Sequence, residues 1–507
     1  MRNPLPPVPT SLLDIEVAGD LRRGAPTARL VTAPADDVES EPLEIGGVRI
    51  TGKAGDVQTV PAGEARWVAG LGDGEPKQYR KAGAALVRAV NAALADDIEA
   101  FGGSGWRSPR PGAEPRMSRH GGKAFRAVQL VLPEEASGDH VTELALGLLL
   151  GGYKFKVTGD DPKPVVRTVR LVAHDRAVES FISLVDRASV LAASTALTRD
   201  LANTPSNVKT PAWLAETAAR VAGPRVEVAI RDEKWLATQG FGGVLAVGGG
   251  SARPPRLIEM TYKPSGAAKH LLLVGKGITF DTGGLSIKPA DGMHLMRTDM
   301  AGGAAVIAAI RGIAALGLPV RVTALVPAAE NHVSGSAYRP GDIVRHYGGK
   351  TTEVGNTDAE GRMVLADALA YGIRRYTPDL VVDAATLTGA MKVSLGLRTG
   401  GLFASADSLA SLVRSAGERV GEAWWRMPLV EDYAENVRGE FGDVRQTPAG
   451  PGGITAALFL REFTAGLPWA HLDIAGPARS EKNYDEVVPG ATGFAARTLV
   501  ELAASLA

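Results

Sequence analysis

The sequence predicts an α/β protein in two parts: a smaller N-terminal α/β unit and a larger C-terminal one whose sheet carries helices on both faces. Three observations carry this. Short β-rich runs alternate with helical ones along the whole chain. From about residue 205 the pattern becomes a repeated strand, loop, helix. The strand runs there are almost continuously apolar, as strands covered on both sides must be. At 507 residues the chain is too long for one core, and roughly 150 residues per domain allows two to four.

Residues 1–176 read as the first unit. "ARLVTA", "VRITGK" and "AFRAVQLVL" are its β-rich runs, and "YRKAGAALVRAVNAALADD" has helical periodicity. Within it, 107–126 ("RSPRPGAEPRMSRHGGKAFR") holds six basic residues against the single acid Glu114. Its Pro- and Gly-rich composition cannot build a core and reads as a solvated loop, with an acidic partner or nucleic acid as the sharper alternative. Residues 177–204 form a linking helix, and the turn signals of "NTPSNVKTP" open the second unit, 205–507. There the strand candidates are "PRLIEMTY", "LLLVGKGI", "VRVTALVPA", "LVVDAATL" and "HLDIA". The helix candidates are "AGGAAVIAAIRGIAALG" and "RMVLADALAYGIRRY".

Composition excludes several classes. Lys+Arg and Asp+Glu are both 56, so the formal charge is zero, which argues against a protein built to hold nucleic acid or coat an anionic membrane. The chain has no cysteine, so disulfides, thiolate zinc sites and cysteine nucleophiles are ruled out. The N-terminus lacks a sustained apolar stretch, so no signal peptide is expected. "LALGLLLGGY" is too short to span a bilayer, which takes about 20 residues. The cytoplasm is the expected compartment, without membrane partners.

The chemistry gathers where strands end, the place open α/β sheets put their ligands. "GKGITFDTGGLSIKP" brings Lys276, Asp281 and Lys288. It is not a phosphate loop, because His270 stands where the first Gly of a Walker motif belongs, and Phe280 replaces the third Gly of a dinucleotide fingerprint. "MRTDMAGGAAV" places Asp299 ahead of an Ala-rich helix; alone, that reads as a helix N-cap. "NTDAEGRM" (356–363) adds Asp358 and Glu360 before another helix, with Arg362 two further on. Four carboxylates cannot stay ionised in one pocket without cations. No HExxH and no pair of histidines three or four apart exists, so an oxygen-rich site for Mg, Mn or Zn is expected. Three Asp and one Glu match two divalent ions, which suggests a two-metal hydrolase.

These three blocks resemble the signatures of the leucyl (cytosol) aminopeptidase family, di-metal exopeptidases. The likeness continues through "LANTPSNVKTP", "GGVLAVGGGSARPPR", "DAATLTGA", "GGITAALFLREF", "HLDIAGPA" and "GATGFAAR", from about 200 to the end; the N-terminal third matches loosely. The octet departs from the usual form only at Met363, where Leu is commoner. The resemblance implies an N-terminal macro-like α/β domain and a C-terminal catalytic domain with a mixed β-sheet covered by helices on both faces. It implies two divalent metal ions, Mn²⁺ or Zn²⁺, bridged by Asp281 and Glu360. Asp358 would complete the more exchangeable site, and Lys276 and Asp299 the tighter one. Lys288 would polarise the scissile carbonyl, and Arg362 would hold a bicarbonate acting as general base. Met296, Thr386, Gly389, Ala475 and Ala478 would line the pocket for the N-terminal side chain. The implied activity is removal of Leu-like apolar residues from peptides with a free N-terminus, by a homo-hexamer. A DNA-binding or regulatory role on the same fold is the alternative.

Overall fold

The computed structural model describes residues 8–33, 43–61, 65–102, 126–157 and 166–507. They form two compact units, Ser11–Ser189 with Asn483–Val487, and Met1–Thr10 with Val190–Lys482 and Val488–Ala507. The stretch read as a linker is the helix Val178–Asn203, and the division falls inside it. Apart from Arg126, the basic segment 107–126 lies outside the described residues.

The smaller unit is a six-stranded sheet in the order Asp14–Ala18, Thr168–Val172, Ala127–Val131, Thr27–Val31, Trp67–Gly70, Val57–Thr59. All neighbours are parallel except the last pair. The helices Pro76–Gly102 and Gly138–Gly151 pack on each other beside it. "VRITGK" yields only the two-residue strand Val48–Arg49, because Gly52 turns the chain at φ 63°.

The larger unit holds a nine-stranded mixed sheet. Its centre is four parallel strands, Trp469–Asp473, Leu380–Ala385, His270–Gly275 and Arg321–Asn331, and antiparallel strands flank them. All but the first residue of Arg321–Asn331 are buried in this quartet, as expected of strands covered on both faces. Leu272 and Val274 pack with Met363, Leu365 and Leu369 of the helix Glu360–Tyr376. The helix Ala301–Leu316 also packs on the central strands. It lies very close, because a methyl group on Gly302 would fall 2.0 Å from the Ala384 carbonyl oxygen. The "AGG" opening of that helix is thus a contact requirement. Two helical stretches, Asp175–Asn203 and Met293–Leu316, are long and apolar enough to cross a bilayer, but their most apolar windows are 56% and 83% buried within the protein.

The run "LLLVGKGI", read as one strand, is two: His270–Gly275 and Gly277–Asp281. The second pairs with the end of Arg321–Asn331 and slips register between Ile278 and Phe280. The break falls on Lys276, whose N–H donates to Ala384 O at 3.0 Å and whose carbonyl accepts from Gly303 N at 2.8 Å. Periodicity cannot reveal such a break, since both halves are equally apolar.

Candidate active site

The C-terminal ends of the central strands deliver the polar residues to one place. Lys276 stands at the strand break, Asp281 ends the short strand that follows, and Thr386 follows Leu380–Ala385. The octet forms a tight turn into the helix Glu360–Tyr376. Its backbone is held from far along the chain: Gly355 N and Asn356 N both donate to Gln446 Oε1 at 3.0 Å, and Gln446 Nε2 donates to Ala359 O at 3.1 Å. Asn331 Nδ2 donates to Asp281 Oδ1 at 2.8 Å and to Thr357 O at 3.0 Å, joining the two acidic segments. Asp281, Asp358 and Glu360 each offer an oxygen within 4.8 Å of the others.

Lys276 Nζ lies 2.9 Å from Asp299 Oδ2 and 2.8 Å from Glu360 Oε1, and donates to Thr386 O at 3.0 Å. Lys288 Nζ lies 2.8 Å from Asp281 Oδ2 and is also paired with Asp358. Asp299 is no helix cap. The helix begins at Ala301 without a side-chain cap, and Asp299 turns instead to Lys276 and to the Thr386 hydroxyl, which donates to its Oδ1 at 2.7 Å. The side-chain contacts outcompete the cap because they pair a buried charge.

Four carboxylates meet only two lysines here, and the imbalance shows in the acidities. Burial first, then Asp281, push Glu360 up against the pull of Lys276. Burial likewise raises Asp299 and Asp358. Burial alone would lower Lys276, yet Asp299, Glu360 and Asp281 outweigh it and hold the amine above its ordinary value; Asp281 and Glu360 do the same for Lys288. Glu360 Oε2 is buried with no donor among the described residues. An orphaned carboxylate oxygen, amid hard oxygens and one amine, fits a divalent cation. Asp281, Asp358, Glu360, Asp299 and Lys276 are the residues able to hold one.

Arg362, in the first turn of the Glu360–Tyr376 helix, donates from Nη1 to Gln446 O at 2.5 Å and lies 6.0 Å from the Phe459 ring centroid. Its buried Nε has no hydrogen-bond partner among the described residues. Burial lowers the guanidinium to about 10, with Glu360 and Asp473 pulling the other way.

All seven charged residues line one cleft of about 470 Å³. Met296, Thr386, Gly389, Ala475 and Ala478 line it too. Sequence reasoning missed Asn331, Gln446 and Asp473. Asp473 is fully buried and accepts from Leu387 N at 3.2 Å, Thr388 N at 3.0 Å, Thr388 Oγ1 at 2.6 Å and Ala475 N at 3.1 Å. It fastens two of the loops that bear the cleft residues. The only sequence signal was an acid in a strand that is otherwise apolar but for His471, "HLDIA". Lys392 and Arg479 also line the cleft and were not anticipated.

More acid than the pocket's own lysines can balance, set at the strand ends of an α/β sheet, defines a metal-dependent hydrolase. The model described as "Cytosol aminopeptidase family, catalytic domain" matches residues 196–500, and the chain belongs to that family. It is 46% identical over 389 residues to a "Probable cytosol aminopeptidase" of Solibacter usitatus, covering 75% of this chain and 80% of that protein. It is 43% identical over 433 residues to one of Streptomyces coelicolor, covering 77% and 82%. Among solved structures, the bottromycin maturation enzyme BotP matches with TM-score 0.79 at 36% identity over 95% of this chain and 99% of its own; it has also been solved in complex with Mn. The family implied by the three blocks is therefore the family found, and the protein is a metal-dependent aminopeptidase acting on peptides.

Proposed function

We propose that the enzyme removes N-terminal residues, Leu-like apolar ones preferred, from peptides with a free amine, using two divalent ions (Mn²⁺ or Zn²⁺) and a bicarbonate held by Arg362. The observation that carries this is the buried, partnerless Glu360 Oε2 facing an acid excess that the two lysines leave unmatched. Asp281 and Glu360 would bridge the ions, Asp358 would complete one site, and Lys276 with Asp299 the other. When bound, the ions supply a water that ionises near neutral pH and an electrophile for the scissile carbonyl, and bicarbonate supplies the general base.

The chain's own residues do the rest. Lys276 could ligate only as a free amine, and cations held by its carboxylate partners would reverse the field that favours its ammonium. The same change would free Lys288 from Asp281 and Asp358, and its N–H groups would then be placed to bind the developing oxyanion. Anchoring Arg362 through Nη1 leaves its Nε edge for a planar anion, which a guanidinium fork grips in bidentate fashion. The acidic floor favours the substrate's free α-amine. Met296, an adaptable apolar wall, and the small Gly389, Ala475 and Ala478 leave room for an aliphatic side chain, while the Thr386 hydroxyl is spent on Asp299. A homo-hexamer in the cytoplasm is part of the proposal; the name carried by the curated relatives supports the compartment, and sedimentation tests the assembly.

Metal analysis with kinetics on aminoacyl-arylamides tests the centre. Chelation is expected to abolish turnover, and Asp281→Ala or Glu360→Ala to lose at least one ion per chain, with N-acetylated peptides uncut. Two ions and full turnover in either variant would show the bridging assignment to be wrong.

A further inference from the structure

The cleft carries positive charge that the proposed chemistry does not use. Of its basic residues, Lys276 and Lys288 are paired with carboxylates, and Arg362 is anchored to Gln446 O. Lys392 and Arg479 remain, and neither side chain has a hydrogen-bond or ion-pair partner among the described residues. Both belong to one wall. Lys392 sits in the short helix Gly389–Leu395, on the same side as Gly389 one turn earlier. A methyl group on Gly476 would lie 3.6 Å from Lys392 Cα, so the helix rests against the loop that carries Ala475 and Ala478. That loop closes with Ala478 N donating to Ile474 O at 3.0 Å, and Arg479 follows at once.

Arg479 is half-buried. Burial lowers its guanidinium against the pull of Glu481, and Arg297 adds repulsion. Asp299 offsets part of that repulsion, but neither it nor Glu481 forms an ion pair with Arg479, so a partly desolvated guanidinium beside another cation is free to gain from an incoming anion. We propose that Lys392 and Arg479 form an anion subsite in the cleft that engages a carboxylate of the peptide substrate. This rests on reading the cleft as the peptide site. The carboxylate has three sources in a peptide: the side chain of an N-terminal Asp or Glu, an acidic side chain at the next residue, or the C-terminus of a dipeptide.

Matched pairs distinguish them. The metal-loaded enzyme and its Lys392→Ala, Arg479→Ala and double variants are assayed on Glu- against Gln-arylamide, Leu-Glu-amide against Leu-Gln-amide, and Leu-Gly against Leu-Gly-amide. In at least one pair the kcat/KM ratio of acid to amide is expected to fall about 10-fold or more per cation removed, since bonds to charged groups contribute at that level. The fall is steeper at low salt, and the affected pair names the source. Each ratio comes from a single preparation, so partial misfolding or metal loss cancels, and Gln at either position serves if Ala does not fold. Ratios unchanged from wild type in all three pairs overturn the subsite while leaving the peptidase reading intact. No cleavage of any member by wild type overturns both.

Discussion

Gly361 lies between the two acids and the arginine of the octet, and its missing side chain makes room for Lys276. A methyl group there would lie 2.6 Å from Lys276 Cε and 2.9 Å from both Cδ and Nζ. Ordinary contact needs roughly 1 Å more, and Lys276, only 3% exposed, has nowhere to retreat. Its amine sits 2.8–3.0 Å from Glu360, Asp299 and Thr386, so a 1 Å shift carries those contacts past hydrogen-bond range. Overpacking costs about 1–3 kcal/mol, and alanine in a helix returns up to about 1 kcal/mol. With that full return the net loss for Gly361→Ala is about 0–2 kcal/mol, a fall of at most a few degrees in Tm. Activity is the larger casualty, because misplacing a reaction centre by 1 Å costs about 10²-fold. Tm, metal content and kcat measured together separate the effects, and Gly335→Ala, where a methyl group meets nothing within 4 Å, is the control. Full metal content with wild-type kcat in Gly361→Ala would refute the steric argument.

Two further outcomes are expected. Arg362→Ala keeps both ions and nearly the wild-type KM, while kcat falls by about 10²–10⁴-fold; bicarbonate activates dialysed wild type far more than the variant, and Arg362→Lys recovers little because it lacks the planar fork. A variant with lowered Tm but full kcat and an unchanged bicarbonate response shows that Arg362 serves packing alone. His270, at the start of the central strand, is held at about 4 by burial and by Arg321, below the 6.5 it has when unfolded. The unfolded chain therefore binds the extra proton first, and stability is complete above pH 6.5 and falls as pH drops toward 4, by at most about 3 kcal/mol. Urea unfolding of wild type and His270→Gln between pH 7 and 4 checks this, and parallel curves refute it.

The sequence was most informative where one residue type has few uses. Carboxylates at the end of an apolar strand, as at Asp281, or crowded into a turn before a helix, as in the octet, have no easy structural excuse, and buried parallel strands announce themselves as unbroken apolar runs. Other features were illegible because their partners are remote. Gln446 holds Gly355 from 91 residues away and Asn331 reaches Asp281 across 50, distances that no local pattern records. The strand break at Lys276 is set by the neighbouring Ala384 and Gly303, and Asp299 imitates a helix cap until Lys276 is in view.

The fastening of Leu387, Thr388 and Ala475 to one Asp473 carboxylate has a kinetic corollary. Loops tied to a common buried carboxylate open most cheaply together, because one that withdraws its N–H donors alone leaves that carboxylate buried and under-satisfied. Amide protons of Leu387, Thr388 and Ala475 should then exchange with solvent deuterium as a single slow cohort, through a shared opening event. In Asp473→Asn, which removes one of the accepting oxygens, that cohort should split, each segment exchanging at its own pace. The pocket wall would then flex piecemeal, and discrimination between similar aliphatic N-termini would blur before the fold itself began to fail.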